Sequence, residues 1–208
     1  MSKLPDPPSP SELAKIDPVE RVITRGTLIW RIYQRGGPFS TSWNSFRFFG
    51  PTNNRFDHHE LPPSKQKRGI LYGAIDGPTC FAEVFQESRV IDARRRDPWL
   101  VAFRLTAGIT LLDLSGTWPT RAGASMAIHS GSRAKARKWS QAIYKAYSGI
   151  QGLWYCSSMN ANKNAIALYE RAKRSVPKLP VFHRALVDPS LAKIIQQAAA
   201  EFGYDCFS

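Results

Sequence analysis

The 208 residues, 43% of them hydrophobic and 22% charged, suit one domain with a sizeable core. No apolar run approaches the roughly 18 residues of a membrane span, and three scattered cysteines, Cys80, Cys156 and Cys206, exclude a disulfide framework and a cysteine-based zinc centre. With 29 lysines and arginines against 16 acids, the net charge is +13 and the pI about 10.0; such a field gathers anions without choosing among nucleic acid, an acidic protein and a phosphorylated small molecule.

Residues 1–20 are rich in proline, serine and charge, and read as a flexible arm with little core to bury. They lack the apolar stretch of a signal peptide, so the expected location is cytoplasmic. Thr27–Tyr33 (TLIWRIY) predicts a strand, with Leu28, Trp30 and Ile32 on one face and Ile29, Arg31 and Tyr33 on the other. Arg31 interrupts an otherwise apolar strand, and an edge arginine reaching for water is as open as an anion ligand. The glycines and prolines of residues 34–68 predict a long loop region, of the length that often carries function, and Asn53-Asn54-Arg55-Phe56-Asp57 lies within it. The adjacent His58 and His59 have no Cys/His cluster around them, so no metal is expected.

Gly69–Ala74 predicts a short strand containing Tyr72, which ordinary strand packing would also explain. Asp76-Gly77-Pro78-Thr79 supplies helix-start chemistry, and residues 79–89 follow as a helix. Phe81, Val84, Phe85 and Ser88 share one of its faces, and Cys80, Glu83 and Glu87 another. A carboxylate such as Glu83 in the early turns also suits the helix dipole. Arg94–Pro98 reads as a basic turn, and residues 99–105 and 109–114 as two strands joined at Ala107-Gly108. The clearest helix spans 131–147, with a buried stripe of Trp139, Ala142, Ile143 and Ala146. Much of the rest of it is basic (Arg133, Lys135, Arg137, Lys138, Lys145), a face turned either to solvent or to an anion. Gly152–Cys156 predicts a strand running into Ser157, a position where plain turn serines are common. Short strands at 165–169 and 181–186 and a closing helix at 189–202 complete the chain. The expected class is α+β, a mixed central β-sheet with flanking helices.

Several phrases, taken in order, resemble the RES-domain family. Leu28-Ile29-Trp30-Arg31-Ile32-Tyr33 is similar to its opening strand, and Asn54-Arg55-Phe56-Asp57 to an arginine-aromatic phrase in the next loop. Gly69–Ala74 followed by Thr79-Cys80-Phe81-Ala82-Glu83-Val84 resembles its tyrosine-bearing strand and its Ala-Glu-Val helix. Trp139–Tyr144 leading to Gly152-Leu153-Trp154-Tyr155-Cys156-Ser157 resembles its Gly-Ile-x-Tyr-x-Ser phrase. The resemblance covers about residues 25–187, and its weight lies in the shared order and spacing. Cys156 stands where proline is frequent, Ser158 follows Ser157 directly, and Arg47 competes with Arg55.

The resemblance implies a fold like that of ADP-ribosyltransferases over residues 21–208, with NAD⁺ as substrate in a cleft. It implies a toxin paired with a cognate antitoxin, destroying NAD⁺ by phosphorolysis or hydrolysis, with inorganic phosphate as a candidate co-substrate. In that reading Glu83 opposes the positive charge that develops on the ribose. Arg31 and Arg55 bind phosphate through paired hydrogen bonds, and Tyr72 and Ser157 position the nicotinamide side. The family's record equally allows a mono-ADP-ribosyltransferase acting on a protein. A basic nucleic-acid-binding protein without activity is the alternative outside enzymes, but the charge is spread along the chain and no recognised helix or zinc module accompanies it. Oligomeric state is left open.

Overall fold

A computed structural model describes residues 3–207. The elements in chain order begin with α1 (Pro10–Leu13), β1 (Glu20–Ile23), β2 (Leu28–Gln34), β3 (Arg47–Gly50), β4 (Ser64–Ala74) and α2 (Gly77–Val84). Then come β5 (Val90–Asp92), β6 (Pro98–Arg104), β7 (Ile109–Asp113), α3 (Trp118–Arg121), α4 (Ala127–Ser130) and α5 (Arg133–Ala146). The chain closes with β8 (Gly152–Cys156), β9 (Asn164–Tyr169), a 3₁₀ turn at Glu170–Ser175, β10 (Phe182–Ala185), a second at Pro189–Leu191, α6 (Ala192–Phe202) and β11 (Asp205–Phe207).

Among the described residues one mixed sheet runs in the order β1-β7-β8-β9-β4-β2-β6-β10, with β3 also paired to β4. The β7–β8 pair is parallel and the other pairs of this sheet are antiparallel. The class is therefore α+β with a mixed central sheet and flanking helices. β1 and β2 sit in different halves of this order, yet only residues 24–27 join them. The sheet must fold over on itself. Ile23, Ile29, Leu71, Phe103, Leu111, Trp154 and Ile166, drawn from both halves, meet in one apolar cluster between the halves. A second cluster lies outside one half beneath α5, and a third outside the other half beneath α2 and α6.

The 34–68 region is more ordered than its composition suggests. β3 pairs with the first part of β4, which begins at Ser64 rather than Gly69. The polar Ser64–Arg68 half of that strand is mostly exposed, so no apolar pattern announces it. The strands β6 and β7, adjacent in sequence, do not pair; each joins a different half of the sheet. α2 ends at Val84, which is exposed, whereas Thr79–Ala82 are buried.

The N-terminal segment also differs from the expected arm with little core to bury. Leu4 and Leu13 are buried. Ser9 and Glu12 form a reciprocal capping box on α1. Side chains of α5 reach the segment's carbonyls: Lys135 Nζ donates to Leu4 O (2.8 Å) and Trp139 Nε1 to Pro5 O (2.9 Å). The Tyr147 hydroxyl lies 2.7 Å from Leu13 O and 2.8 Å from Ile16 O. The apolar stripe of α5 needs cover, its indole and phenol need acceptors, and an irregular proline-rich chain offers both.

Candidate active site

β2 and β4 meet in the ladder at a single pair, Trp30–Ala74. Gly73 permits that approach, because a Cβ there would lie 2.8 Å from Ile29 Cγ2 and 3.0 Å from Trp30 O. Beyond it the strands diverge, and Arg31 Nη1 donates across the gap to the Tyr72 carbonyl (3.1 Å). A cavity of about 360 Å³ opens at this divergence, between α2 on one side and the start of α5 on the other. Arg31, Arg55, Tyr72 and Glu83 all line it, although they come from four separate stretches of chain.

Glu83 stands in the last turn of α2, whose start is capped by Asp76 accepting from Thr79 N (2.8 Å). Its Oε1 accepts from Ser157 Oγ at 2.5 Å. Burial pushes the Glu83 carboxyl above the usual range; the Ser157 hydrogen bond and the Arg55 and Arg133 guanidiniums oppose that push without cancelling it. Ser157 is fully buried and lies just past β8. Its oxygen also accepts from Met159 N and Asn160 N, each at 3.1 Å, so its one proton and both lone pairs are committed. Ser157 thus touches Glu83, while the neighbouring Ser158 lines the cavity itself.

Arg55 is presented by a loop whose anchor is the buried Asp57. That carboxylate accepts from Arg47 Nη2 (2.8 Å), Thr52 N (2.6 Å) and Thr52 Oγ1 (2.9 Å), and pairs with His59 Nδ1 (2.5 Å). Phe56 beside it is fully buried, with its ring 4.6 Å from that of Tyr155. Arg47 therefore serves the loop, and Arg55 faces the cavity with Nη1 on Gly131 O at 2.6 Å. Burial, together with the Arg133 charge, lowers the Arg55 pKa. Burial lowers that of Arg31 to about 10, which leaves it charged at neutral pH. The Tyr72 hydroxyl is buried with no partner among the described residues, and burial raises its pKa.

Arg133, His129, Asn54 and Tyr155 also line the cavity and were not singled out from sequence as site residues. A signal existed for Arg133. Acids are favoured in the first turn of a helix; α5 has none there and begins with Arg133. His129 Nε2 lies 2.9 Å from the Leu114 carbonyl, which can only accept, so the ring proton sits on Nε2. Among the described residues no group of three histidine, cysteine or acidic side chains is placed to hold a metal ion, and no helix is long and apolar enough to cross a membrane.

The split sheet, the enclosed carboxylate and the surrounding guanidiniums define a cleft built for an anionic ligand. The sequence model of the RES domain matches residues 28–188, and the chain belongs to the RES-domain family. That is the family for which the sequence resemblance implies a toxin-type enzyme acting on NAD⁺. Among solved structures the chain is similar to one in the M. tuberculosis MbcT–MbcA toxin–antitoxin complex. The two share 14% identity and a TM-score of 0.56, over 86% of this chain and 92% of the other. This likeness bears out the fold. No curated protein matches the sequence significantly.

Proposed function

We propose that the protein is a toxin-type enzyme that cleaves the nicotinamide–ribose bond of NAD⁺. The observation that carries this is the half-buried, serine-held Glu83 in a cavity it shares with Arg31 and Arg55. The bond from C1′ of the ribose to the nicotinamide nitrogen breaks with its electron pair going to the nitrogen. Nicotinamide then leaves neutral, and little acid catalysis is required. Positive charge develops on the ribose, and an ionised Glu83 opposes it. Arg31 and Arg55 hold phosphate oxygens, and Tyr72 contributes a ring or a hydroxyl on the nicotinamide side. Ser157 acts through Glu83 as a positioning residue, since its own bonds are filled. A new C1′–O bond forms to phosphate or to water, and water would release its proton to solvent. The toxin–antitoxin setting of the MbcT structure supports a cognate antitoxin as partner, and NAD⁺ as substrate supports action in the cytoplasm.

The test is product analysis by mass after incubating purified protein with NAD⁺, with and without phosphate. Free nicotinamide is the expected product whichever acceptor is used, and a strict phosphorylase releases it only when phosphate is present. ADP-ribose phosphate formed only with phosphate marks a phosphorylase, and ADP-ribose a glycohydrolase. Mass added to a protein marks a transferase, and intact NAD⁺ throughout sinks the proposal.

The serine gives a second, sharper expectation. Its hydrogen bond favours the ionised form of Glu83, so Ser157→Ala raises the pKa of that carboxyl further. The active form is the ionised one. The acid limb of the pH–rate profile is therefore expected to move to higher pH in Ser157→Ala, as measured by initial rates across pH 4–8, an experimental window of roughly this width around the ordinary glutamate value. An unmoved limb would show that the contact has no part in activity.

A further inference from the structure

Arg133 stands at the cavity mouth with a partner that does not belong there permanently. Its Nη1 contacts Glu87 Oε1 (2.5 Å) and its Nη2 donates to Gln86 Oε1 (3.0 Å). Both acceptors are on the stretch just after α2, so this arginine bridges the two walls of the cavity. The Glu87 side chain is 75% exposed and that of Arg133 29%, so Glu87 can swing into water at little cost. Arg55, held on Gly131 O, lines the same cavity as Arg133, whose charge weighs on it. Two guanidiniums lining one cavity repel unless an anion sits between them. Glu83 is the half-buried carboxyl in the same cavity, and Glu87 meets Arg133 from the solvent side.

We propose that Arg133 and Arg55 form a phosphoryl-oxyanion subsite at the cavity mouth, and that Glu87 occupies Arg133 until the incoming phosphoryl group displaces it. This rests on reading the cavity as an NAD⁺ site. The oxyanion is either the diphosphate linker of NAD⁺ or a free phosphate acceptor. Both offer the planar pair of oxygens that a guanidinium fork grips, which a carboxylate imitates. Glu87 then acts as a stand-in anion: it keeps the empty site from carrying two unbalanced cations and sets a threshold that ligand must exceed.

The experiment uses the full chain as wild type, Arg133→Gln, Arg133→Lys and Glu87→Ala. It measures the KM for NAD⁺ and for phosphate in nicotinamide release, and the Kd of ADP-ribose by calorimetry. Arg133→Gln is expected to raise the KM for NAD⁺ and the Kd of ADP-ribose by about 10- to 100-fold, the loss of a charge-assisted pair. Arg133→Lys, keeping charge without the fork, recovers part of it. Glu87→Ala is expected to lower both constants, by up to about fivefold for so exposed a pair. A change confined to the phosphate KM assigns the subsite to the acceptor instead of the linker. Constants within about twofold of wild type in Arg133→Gln would overturn the proposal. So would Glu87→Ala weakening binding as Arg133→Gln does, because the pair would then be a strut. If Arg133→Gln does not fold, the opposed shifts of Arg133→Lys and Glu87→Ala decide the matter. If wild type leaves NAD⁺ intact yet binds ADP-ribose in this Arg133-dependent way, the cleavage reading fails and the subsite stands.

Discussion

Glu83→Gln is expected to lower the rate of NAD⁺ cleavage by at least about 10²–10³-fold, the loss typical of one fixed electrostatic contact to a charge that develops in the transition state. The glutamine keeps the shape and the hydrogen bond to Ser157 but has no charge to oppose an electron-poor ribose. The same substitution is expected to leave the melting temperature no lower than that of wild type. Burial raises the Glu83 pKa, so folding disfavours the ionised carboxylate relative to the unfolded chain. A raised folded pKa contributes stability below the unfolded value and loses it as pH rises through the folded one. At neutral pH the ionised carboxylate is thus a net cost to the fold, and an uncharged isostere removes it. Nicotinamide release and thermal melting, measured on one preparation, check both halves. A variant that is inactive because it is unfolded would count against this reading.

Asp57→Ala is expected to destabilise the fold by about 3–5 kcal/mol, the cost of removing one partner from a buried charged network. For a chain of this size that is a fall in melting temperature of roughly 6–20 °C. Asp57 is fully buried and bonded to Arg47, Thr52 and His59, so its loss strands several donors at once. Burial alone would raise its pKa, but the His59 hydrogen bond, the Arg47 charge and the Thr52 amide hold it well below the usual range. Glu170 behaves alike: His58 nearby at 3.7 Å and hydrogen bonds from Gly69 N and the Tyr144 hydroxyl overcome burial and hold it at about 2. Depressed carboxylates contribute stability above their unfolded pKa and lose it as pH falls through the folded one. Wild-type stability should therefore decline between about pH 4.5 and about pH 2, and Asp57→Ala should decline less steeply across that window. Denaturant titrations at stepped pH would show this, and parallel slopes would count against it. Because Asp57 anchors the loop that presents Arg55, the same variant should also lose substrate affinity.

Much of the architecture was written in periodicity. The strand at Leu28–Gln34, the α5 stripe around Trp139 and the closing helix all carry patterns set by burial on one side. What escaped was held by contacts remote in sequence. The start of β4 is a polar stretch held by pairing with the short β3, and α1 is a single turn fixed by α5. The candidate site residues Arg31, Arg55, Tyr72 and Glu83 were named from motif order, and they line one cavity. Their assembly was not, since it depends on where β2 leaves β4, which a glycine decides. Reading Ser157 as a direct substrate contact overlooked its backbone partners, Met159 N and Asn160 N, which no sequence pattern displays. Arg133 was visible only as one cation among many on a basic helix.

The single ladder pair between β2 and β4 has a mechanical consequence. Each half of the sheet is cross-braced by full registers, β2 with β6 and β4 with β9, and so resists bending. Along the ladder the seam between them is held by one backbone pair and one arginine-to-carbonyl bond, with the shared apolar cluster packed between the halves, so its hydrogen bonding is the sparsest in the sheet. Glu83 and Arg55 sit on either side of the opening at that seam. A small change in the dihedral angle between the two half-sheets would alter the span between charge and counter-charge, with no side chain changing rotamer. A partner gripping the outer surfaces of both halves would change that span from outside the cavity.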